Sequence, residues 1–361
     1  MRSHRAIHNG VVDPEPGIAQ TSASQQGIGL VSTTCEGKYQ QAMPAEEQER
    51  LTVASICQPV QSRMASVEER LNLVIADAPS GMTEQLRHAL KGGGKRIRPA
   101  LTMLAGSSYH GDSESLVSMA TAVELLHTAT LVHDDTIDNA LLRRSRLTLN
   151  RLWGSHDAVL LGDYLCAAAA YMTAETENTR VMELFAQALA AICSGAVSEH
   201  VARSHRSREE YFQTTGWKTA SLFSVATESG AVLSRAPNKV VKSLKDYGYN
   251  LGMAFQIVDD IQDVMSDLSR GIVTLPAILL LESPENHLIE EMLSQNREEG
   301  LRLVTDMVHQ SAVQEECHQI AEDFGQQACS ALDPLPHNAT YYSLVSLARY
   351  LTQHFPYQTE T

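Results

Sequence analysis

The sequence predicts an all-α fold, a large single-domain helical bundle with a central cavity. Through most of the chain apolar residues recur at spacings of three and four, whereas the alternating pattern of β-strands is scarce. Several stretches, such as 157–174 with its LCAAAAYM segment, are apolar nearly all round, which is typical of helices inside a large bundle. Segments rich in Gly, Pro and Asn separate the periodic stretches, near 79–81, 91–94, 110–113, 154–156, 176–178, 236–238, 283–286 and 334–338.

The bundle is expected to follow an N-terminal extension. Residues 1–45 lack sustained periodicity and are rich in Gly, Ser, Gln and Pro, so we expect them to be disordered. Residues 46–361 are expected to form the helical domain, in ten or so helices without an internal linker. Its first helix is expected to start near Glu46 and to continue through Val67–Ala76. The longest expected helices cover 157–174, 178–205, 209–234 and 239–267.

Composition and charge exclude several classes of function. The net charge of −15 argues against nucleic acid as the main partner, although local cations can still hold a small anionic substrate. No segment is expected to span a membrane or to serve as a secretory signal, so we expect a cytoplasmic protein. The cysteines show no paired spacing and are predicted to be free thiols: Cys35, Cys57, Cys166, Cys193, Cys317 and Cys329.

An acidic motif ends the apolar stretch ELLHTATLVHDDTID, residues 124–138. Asp134 and Asp138 are four residues apart and lie on one face of a helix, with Asp135 beside them. Two carboxylates about 5 Å apart repel each other by roughly 3 kcal/mol at an effective dielectric constant near 20. The pair therefore favours a bound cation, and hard oxygen ligands favour Mg²⁺. The alternative is an acidic helix end in solvent.

Basic side chains surround this motif in the sequence. The stretch KGGGKRIRP brings Lys95, Arg96 and Arg98 to the start of a helix, where backbone N–H groups and cations can hold a diphosphate. The alternative is a flexible loop with solvated charges. Arg143 and Arg144 follow the acidic motif and are predicted to clamp a second phosphate. His127 is either a phosphate donor or a buried core residue.

A second acidic motif repeats the first. Asp259, Asp260 and Asp263 end the apolar stretch GYNLGMAFQIVDDIQD at the same spacing, with Gln256 one turn earlier. Lys218 and its neighbour Thr219, in GWKTASLF, precede another apolar helix, and a lysine in such surroundings needs an anionic partner. Two such motifs facing each other across a bundle could hold several Mg²⁺ ions and a diphosphate.

Together these motifs resemble the trans-isoprenyl diphosphate synthase (polyprenyl synthase) family over roughly residues 64–355. The resemblance implies a bundle of the isoprenoid synthase type that joins an allylic diphosphate to isopentenyl diphosphate, head to tail, in a dimer. It implies metal ligands at Asp134, Asp138, Asp259 and Asp263, with Asp135, Lys218 and Asp260 in the catalytic machinery. It assigns isopentenyl diphosphate to Lys95, Arg98, His127 and Arg144, and the allylic diphosphate to Arg143, Lys218 and Gln256, with Thr219 and Asp260 nearby.

Chain length is the finest prediction that the resemblance allows. In the family an aromatic residue one turn before the first motif forms the floor of the product tunnel, whereas this chain has Ala129 and Thr130 there. The tunnel is expected to run deeper, past Leu126, Val123 and Ala122, and the product to be C20 or longer, extending to C30–C50.

The chain also departs from the family pattern. The loop after Asp263 is shortened, Ile272 replaces a frequent lysine, and Glu199 ends the segment that usually reads GE-x-x-Q. These departures leave open a weakly active or regulatory subunit of a heteromeric synthase. A class I terpene cyclase is the other alternative, against which GGGKRIRP and the second acidic motif argue. No convincing set of Glu-x-x-His pairs supports a di-iron bundle.

Overall fold

The computed structural model describes residues 52–109, 112–201, 207–282, 297–310 and 312–353, all of which belong to one compact unit, Thr33–Thr361. The all-α prediction is confirmed, with sixteen α-helices in these residues. The expected disordered extension, the helix start near Glu46 and the break at 283–286 lie outside the described residues.

Eight helices form the first half of the described chain. They are α1 (Val53–Ile56), α2 (Gln61–Ala76), α3 (Thr83–Leu90), α4 (Ile97–Ser107), α5 (Ser113–Ile137), α6 (Leu149–Trp153), α7 (Ser155–Ala174) and α8 (Thr179–Val201). A 3₁₀ turn, Gln58–Val60, joins α1 to α2. The long helix α5 begins at the N-cap residue Asp112, whose carboxylate accepts from the backbone N–H groups of Glu114 and Ser115.

Eight further helices follow. They are α9 (Arg208–Thr215), α10 (Ser221–Leu233), α11 (Asn238–Gln262), α12 (Val264–Ser269), α13 (Leu275–Leu281), α14 (Arg297–Gln310), α15 (Ala312–Ala331) and α16 (Ala339–Gln353). The predicted helix 209–234 is present as α9 and α10, but a π turn, Gly216–Ala220, interrupts it. The predicted helix 239–267 breaks at Asp263, which ends α11 and precedes α12.

One element departs from the helical pattern. Two short antiparallel strands, β1 (Leu142–Arg143) and β2 (Arg146–Leu147), form a hairpin directly after the first acidic motif. Its two turn residues, Arg144 and Ser145, have φ of 48° and 59°. Positive φ at both central residues is the geometry of a type I′ turn, which matches the twist of paired strands.

Helix α10 lies at the centre of the bundle, in contact with α4, α5, α8 and α11. Eleven of its thirteen residues are buried. Glycines let α11 approach it closely, since a Cβ on Gly248 would lie 2.5 Å from the carbonyl oxygen of Phe223. A Cβ on Gly252 would lie 2.6 Å from the Cα of Ala220, in the π turn that precedes α10. This close packing fixes the C-terminal end of α11, which carries the second acidic motif.

Among the residues that the structure describes, two helices, α5 and α8, are long and apolar enough to cross a membrane by length and composition. This finding differs from the expectation that no segment would span a membrane. The criterion is weak, because the core helices of soluble proteins also meet it. The apolar stretch of α5 is 72% buried inside the protein, as a core helix would be, whereas that of α8 is only 33% buried. Helix α8 therefore presents apolar side chains on its surface.

The cysteines differ from their prediction at one position. Cys57, Cys166, Cys193 and Cys317 are free thiols, as expected. Cys329 is disulfide-bonded, so the prediction of six free thiols is wrong there. The absence of a CxxC spacing does not exclude a disulfide, because residues far apart in sequence can meet in the fold.

Candidate active site

The first acidic motif divides its three carboxylates between two surroundings. Asp134 and Asp138 line a small cavity of about 20 Å³, roughly the space of one water molecule. Asp135 is buried and faces the other way, toward Arg143. The Nε of Arg143 lies 2.9 Å from both carboxylate oxygens of Asp135, and an Nη lies 2.8 Å from Oδ1. Asp135 thus holds the guanidinium of Arg143 in place beside the cavity.

Lys218 faces the carboxylate of Asp134. It lies on the π turn, a feature that is frequent at functional sites. Its Nζ is 3.2 Å from Asp134 Oδ2 and 2.5 Å from Glu199 Oε2. Burial alone would lower the pKa of Lys218, but Asp134 and Glu199 raise it above its ordinary value, so the ammonium stays charged. Glu199 was not predicted as a site residue.

The β1–β2 hairpin places two arginines at the site. Burial would lower the pKa of Arg143, but Asp135, Asp134 and Asp259 together raise it. Arg143 therefore interacts electrostatically with carboxylates of both acidic motifs. Arg144, on the turn, donates to the carbonyl oxygen of Gly93 and so links the hairpin to the glycine loop before α4.

The cations at the start of α4 take different directions. Arg96 has a positive φ of 49° and donates to Glu68, to the buried Glu124 and to the carbonyl oxygen of Leu90. Arg96 therefore has a structural role, because these contacts tie the start of α4 to α2, to α5 and to the end of α3. Lys95 lies with its Nζ 5.4 Å from the ring centroid of Tyr350 in α16.

Arg98 is a buried cation that donates a hydrogen bond to His127. Its Nη1 is 3.1 Å from His127 Nε2, which must accept because a guanidinium only donates. Burial, followed by the charge of Arg98, lowers the pKa of His127 well below its ordinary value, so the imidazole is neutral and carries its proton on Nδ1. Burial also lowers the pKa of Arg98 to about 10, and its Nε is a buried donor without a hydrogen-bond partner. An anionic ligand would satisfy this donor.

Asp260 of the second motif is fully engaged in hydrogen bonds. Tyr211 donates to its Oδ2 over 2.6 Å, and the Nε2 of Gln256 donates to its Oδ1 over 2.8 Å. Thr219 in turn donates to Oε1 of Gln256 over 2.8 Å. Burial raises the pKa of Asp260 well above its ordinary value. Asp260, Gln256 and Thr219 therefore form one hydrogen-bonded series that joins the π turn to α11. Tyr211 was not predicted as a site residue.

Asp259 experiences opposing influences from the other acidic residues and from the cations. Burial and the neighbouring Asp263 raise its pKa to about 6, while Arg98, Arg143 and Arg144 oppose that shift.

Asp267, four residues after Asp263, is a further buried carboxylate that sequence reasoning missed. Burial raises its pKa to about 7 although Arg270 donates to it over 2.6 Å. The repeat of four-residue spacing after Asp263 was the one signal that could have identified it.

Within the described residues, no three His, Cys, Asp or Glu side chains are already arranged to hold a metal ion. The first motif instead has Lys218 and Arg143 as counter-ions. In the second motif, the charge of Asp263 helps to raise the pKa of Asp259. This motif therefore carries an excess of negative charge. Such an arrangement suits ligands that bring both positive and negative charge, such as a metal-bound diphosphate.

The family model of the Polyprenyl synthetase matches residues 79–310. The chain belongs to this family. The predicted family and enzyme class, a polyprenyl diphosphate synthase, are confirmed with it, and a terpene cyclase is not favoured.

Curated relatives and solved structures of this family align along most of the chain. The solanesyl-diphosphate synthase 2 of Oryza sativa subsp. japonica is 28% identical over 354 residues, 92% of this chain and 87% of its own. The heptaprenyl diphosphate synthase component 2 of Geobacillus stearothermophilus is 32% identical over 80% of this chain and 94% of its own. A polyprenyl synthase structure from Caulobacter crescentus CB15, complexed with calcium and isoprenyl diphosphate, has 30% identity and a TM-score of 0.78 over 83% of this chain and 97% of its own.

Proposed function

We propose that this enzyme joins an allylic prenyl diphosphate to isopentenyl diphosphate, head to tail, and forms an all-trans polyprenyl diphosphate of C20 or longer. One observation carries the proposal: the π turn links the two acidic motifs. Lys218 on this turn lies 3.2 Å from Asp134 of the first motif. Its neighbour Thr219 is joined through Gln256 to Asp260 of the second motif, so both motifs meet at one site beside the cations. The rice relative, named for solanesyl diphosphate, supports a long product.

The cations have two separate tasks in this reaction. Lys218 and Arg143, beside the first motif, bind the allylic diphosphate and stabilise the negative charge that grows on it as the C–O bond breaks. Arg98, whose Nε lacks a partner, and His127 bind isopentenyl diphosphate, together with Lys95 and Arg144. The rings of Phe223 and Phe255 lie 4.6 and 5.9 Å from the guanidinium of Arg98 and help to keep water from the reacting carbons.

The carboxylates fit Mg²⁺, with more than one ion at the site. Asp134, Asp138, Asp259 and Asp263 offer oxygen donors, which this hard cation prefers. Burial and the charge of Asp263 raise the pKa of Asp259, and a bound cation would stabilise its ionised form. When bound, Mg²⁺ supplies Lewis-acid stabilisation of the diphosphate oxygens.

A product assay tests the proposal. The purified chain receives Mg²⁺, labelled isopentenyl diphosphate and farnesyl diphosphate, and the products are separated by chain length. We expect polyprenyl diphosphates of C20 or longer that disappear when EDTA removes the metal. Absence of any elongated product from the folded enzyme would contradict the proposal in its simplest form.

A second candidate is one component of a two-component synthase. The Geobacillus relative is named component 2, and the loop after Asp263 is shortened in this chain. The same assay separates the candidates: a component is inactive alone and forms product once a second subunit is added.

A further inference from the structure

Lys218 has a second anionic partner that the proposed reaction does not use. Its Nζ lies 2.5 Å from Glu199 Oε2, closer than the 3.2 Å to Asp134 Oδ2. Glu199 stands where the GE-x-x-Q pattern carries a neutral glutamine. The chain therefore places an additional full negative charge beside the lysine.

The backbone fixes this contact. Helix α8 packs against the π turn at Gly195, where a Cβ would lie 3.0 Å from the backbone nitrogen of Lys218. Glu199 lies four residues later, on the same face of α8. Because the two backbones touch, Glu199 is held beside Lys218 and lines the same cavity as Asp134 and Asp138.

We propose that Glu199 competes with the allylic diphosphate for the ammonium of Lys218 and so weakens the binding of that diphosphate. The inference rests on the proposed function, which assigns Lys218 to the allylic substrate. The effect acts through the lysine, because the carboxylate occupies one of only three N–H donors of the ammonium and offsets part of its positive charge. Glu199 is thus a positioning residue that acts through Lys218, and it eases release of the diphosphate product.

The substitution Glu199→Gln tests this, since it removes the charge and keeps the shape. Titration calorimetry with inorganic diphosphate at saturating Mn²⁺ should show binding about 3- to 10-fold tighter than in the wild type. The KM for farnesyl diphosphate should fall by a similar factor while kcat does not rise. Glu183→Gln on the same helix is the matched control, because Glu183 is an exposed partner of Arg180 and should leave both values unchanged.

A double variant shows whether Glu199 acts through Lys218. In a Lys218→Met background, Glu199→Gln should change diphosphate affinity by less than about twofold, because the shared partner is gone. Equal tightening in both backgrounds would overturn the inference, as would unchanged or weaker binding in Glu199→Gln alone. A wild-type enzyme that forms no product would overturn the proposed function itself, whereas normal elongation with an unaltered Glu199→Gln overturns this inference alone.

Discussion

At the scale of single residues, each carboxylate of the first motif has its own role. Asp135 is saturated by Arg143, while Asp134 shares a lysine with Glu199 and faces the cavity. Of these two neighbours, Asp134 can exchange its partner for a metal without breaking the ion pair of Asp135 with Arg143. The spacing in the sequence does not distinguish these two neighbours, because what separates them is the direction of each side chain on the helix.

Asp134→Asn should therefore reduce kcat by about 10²- to 10⁴-fold, because it removes a charged oxygen from the metal and diphosphate site. Steady-state kinetics at saturating Mg²⁺ measure this effect. Asp163→Asn is the matched control, since Asp163 is an exposed carboxylate near His133, and it should retain wild-type activity. Equal activity of the two variants would contradict the assignment of Asp134.

The raised carboxyl pKa values predict a pH dependence of stability. Asp267 has a folded pKa of about 7 against an ordinary value of 3.8, and Asp259 a folded pKa of about 6. Between the ordinary pKa and the folded pKa of each group, the folded state binds more protons than the unfolded state. The free energy of unfolding therefore falls as pH rises from about 4 to 7. Urea denaturation of the metal-free enzyme at pH 5 and pH 8 should show this decrease, and Asp267→Asn should make it smaller. A decrease of the same size in the variant would contradict the role of Asp267.

At the scale of elements, sequence periodicity predicts the long helices but not how they are interrupted. The acidic ends of α5 and α11 follow from four-residue spacing within one helix, and both were predicted. The β1–β2 hairpin was missed because residues 142–147 contain no Asn-Gly or Asp-Gly signal, and its positive φ angles fall on Arg144 and Ser145. Glu199 and Tyr211 were missed because their partners are distant in sequence, and only packing brings them together.

The contact of α11 with the π turn that precedes α10 should tolerate no added methyl group. A Cβ on Gly252 would lie 2.6 Å from the Cα of Ala220, so Gly252→Ala forces a backbone shift. We expect a loss of about 1–3 kcal/mol in the free energy of unfolding, measured by urea denaturation. Gly81→Ala serves as the control, since a Cβ there meets nothing within 4 Å. A loss in Gly81→Ala as large as that in Gly252→Ala would contradict the packing argument.

Helix α5 is also proposed to measure product length. Ala129 is fully buried one turn before Asp134, as are Leu126 and Val123 deeper in the helix. Ala129→Phe should shorten the product, because an aromatic ring at this height blocks a growing chain. Product chromatography checks this, with a thermal melt to confirm folding, and an unchanged product length would contradict the position of the tunnel floor.

At the scale of the whole molecule, we propose that two copies associate through α7 and α8, which contact each other. Large apolar side chains are exposed along both helices: Val159, Leu160, Tyr171, Val197 and Val201. Val201 is 80% exposed and Val197 is 64% exposed. Exposed large apolar side chains gathered on two neighbouring helices are typical of protein interfaces.

Light scattering after size-exclusion chromatography tests the association. The wild type should have the mass of a dimer, and the double substitution Leu160→Glu with Val197→Glu should give a monomer. Leu73→Glu, an exposed leucine on α2, is the control and should stay dimeric. Dimers that persist in the double variant would place the interface elsewhere.

The π turn at Gly216–Ala220 changes the direction in which the side chains after it point, relative to those before it. Tyr211 and Phe223, on either side of it, are twelve residues apart and both fully buried. In a regular α-helix twelve residues leave two side chains about 120° apart, whereas eleven leave them only about 20° apart. One extra residue in the turn therefore lets Tyr211 reach Asp260 while Phe223 lies beneath Arg98. A helix without that residue could align either Tyr211 with Asp260 or Phe223 with Arg98, but not both.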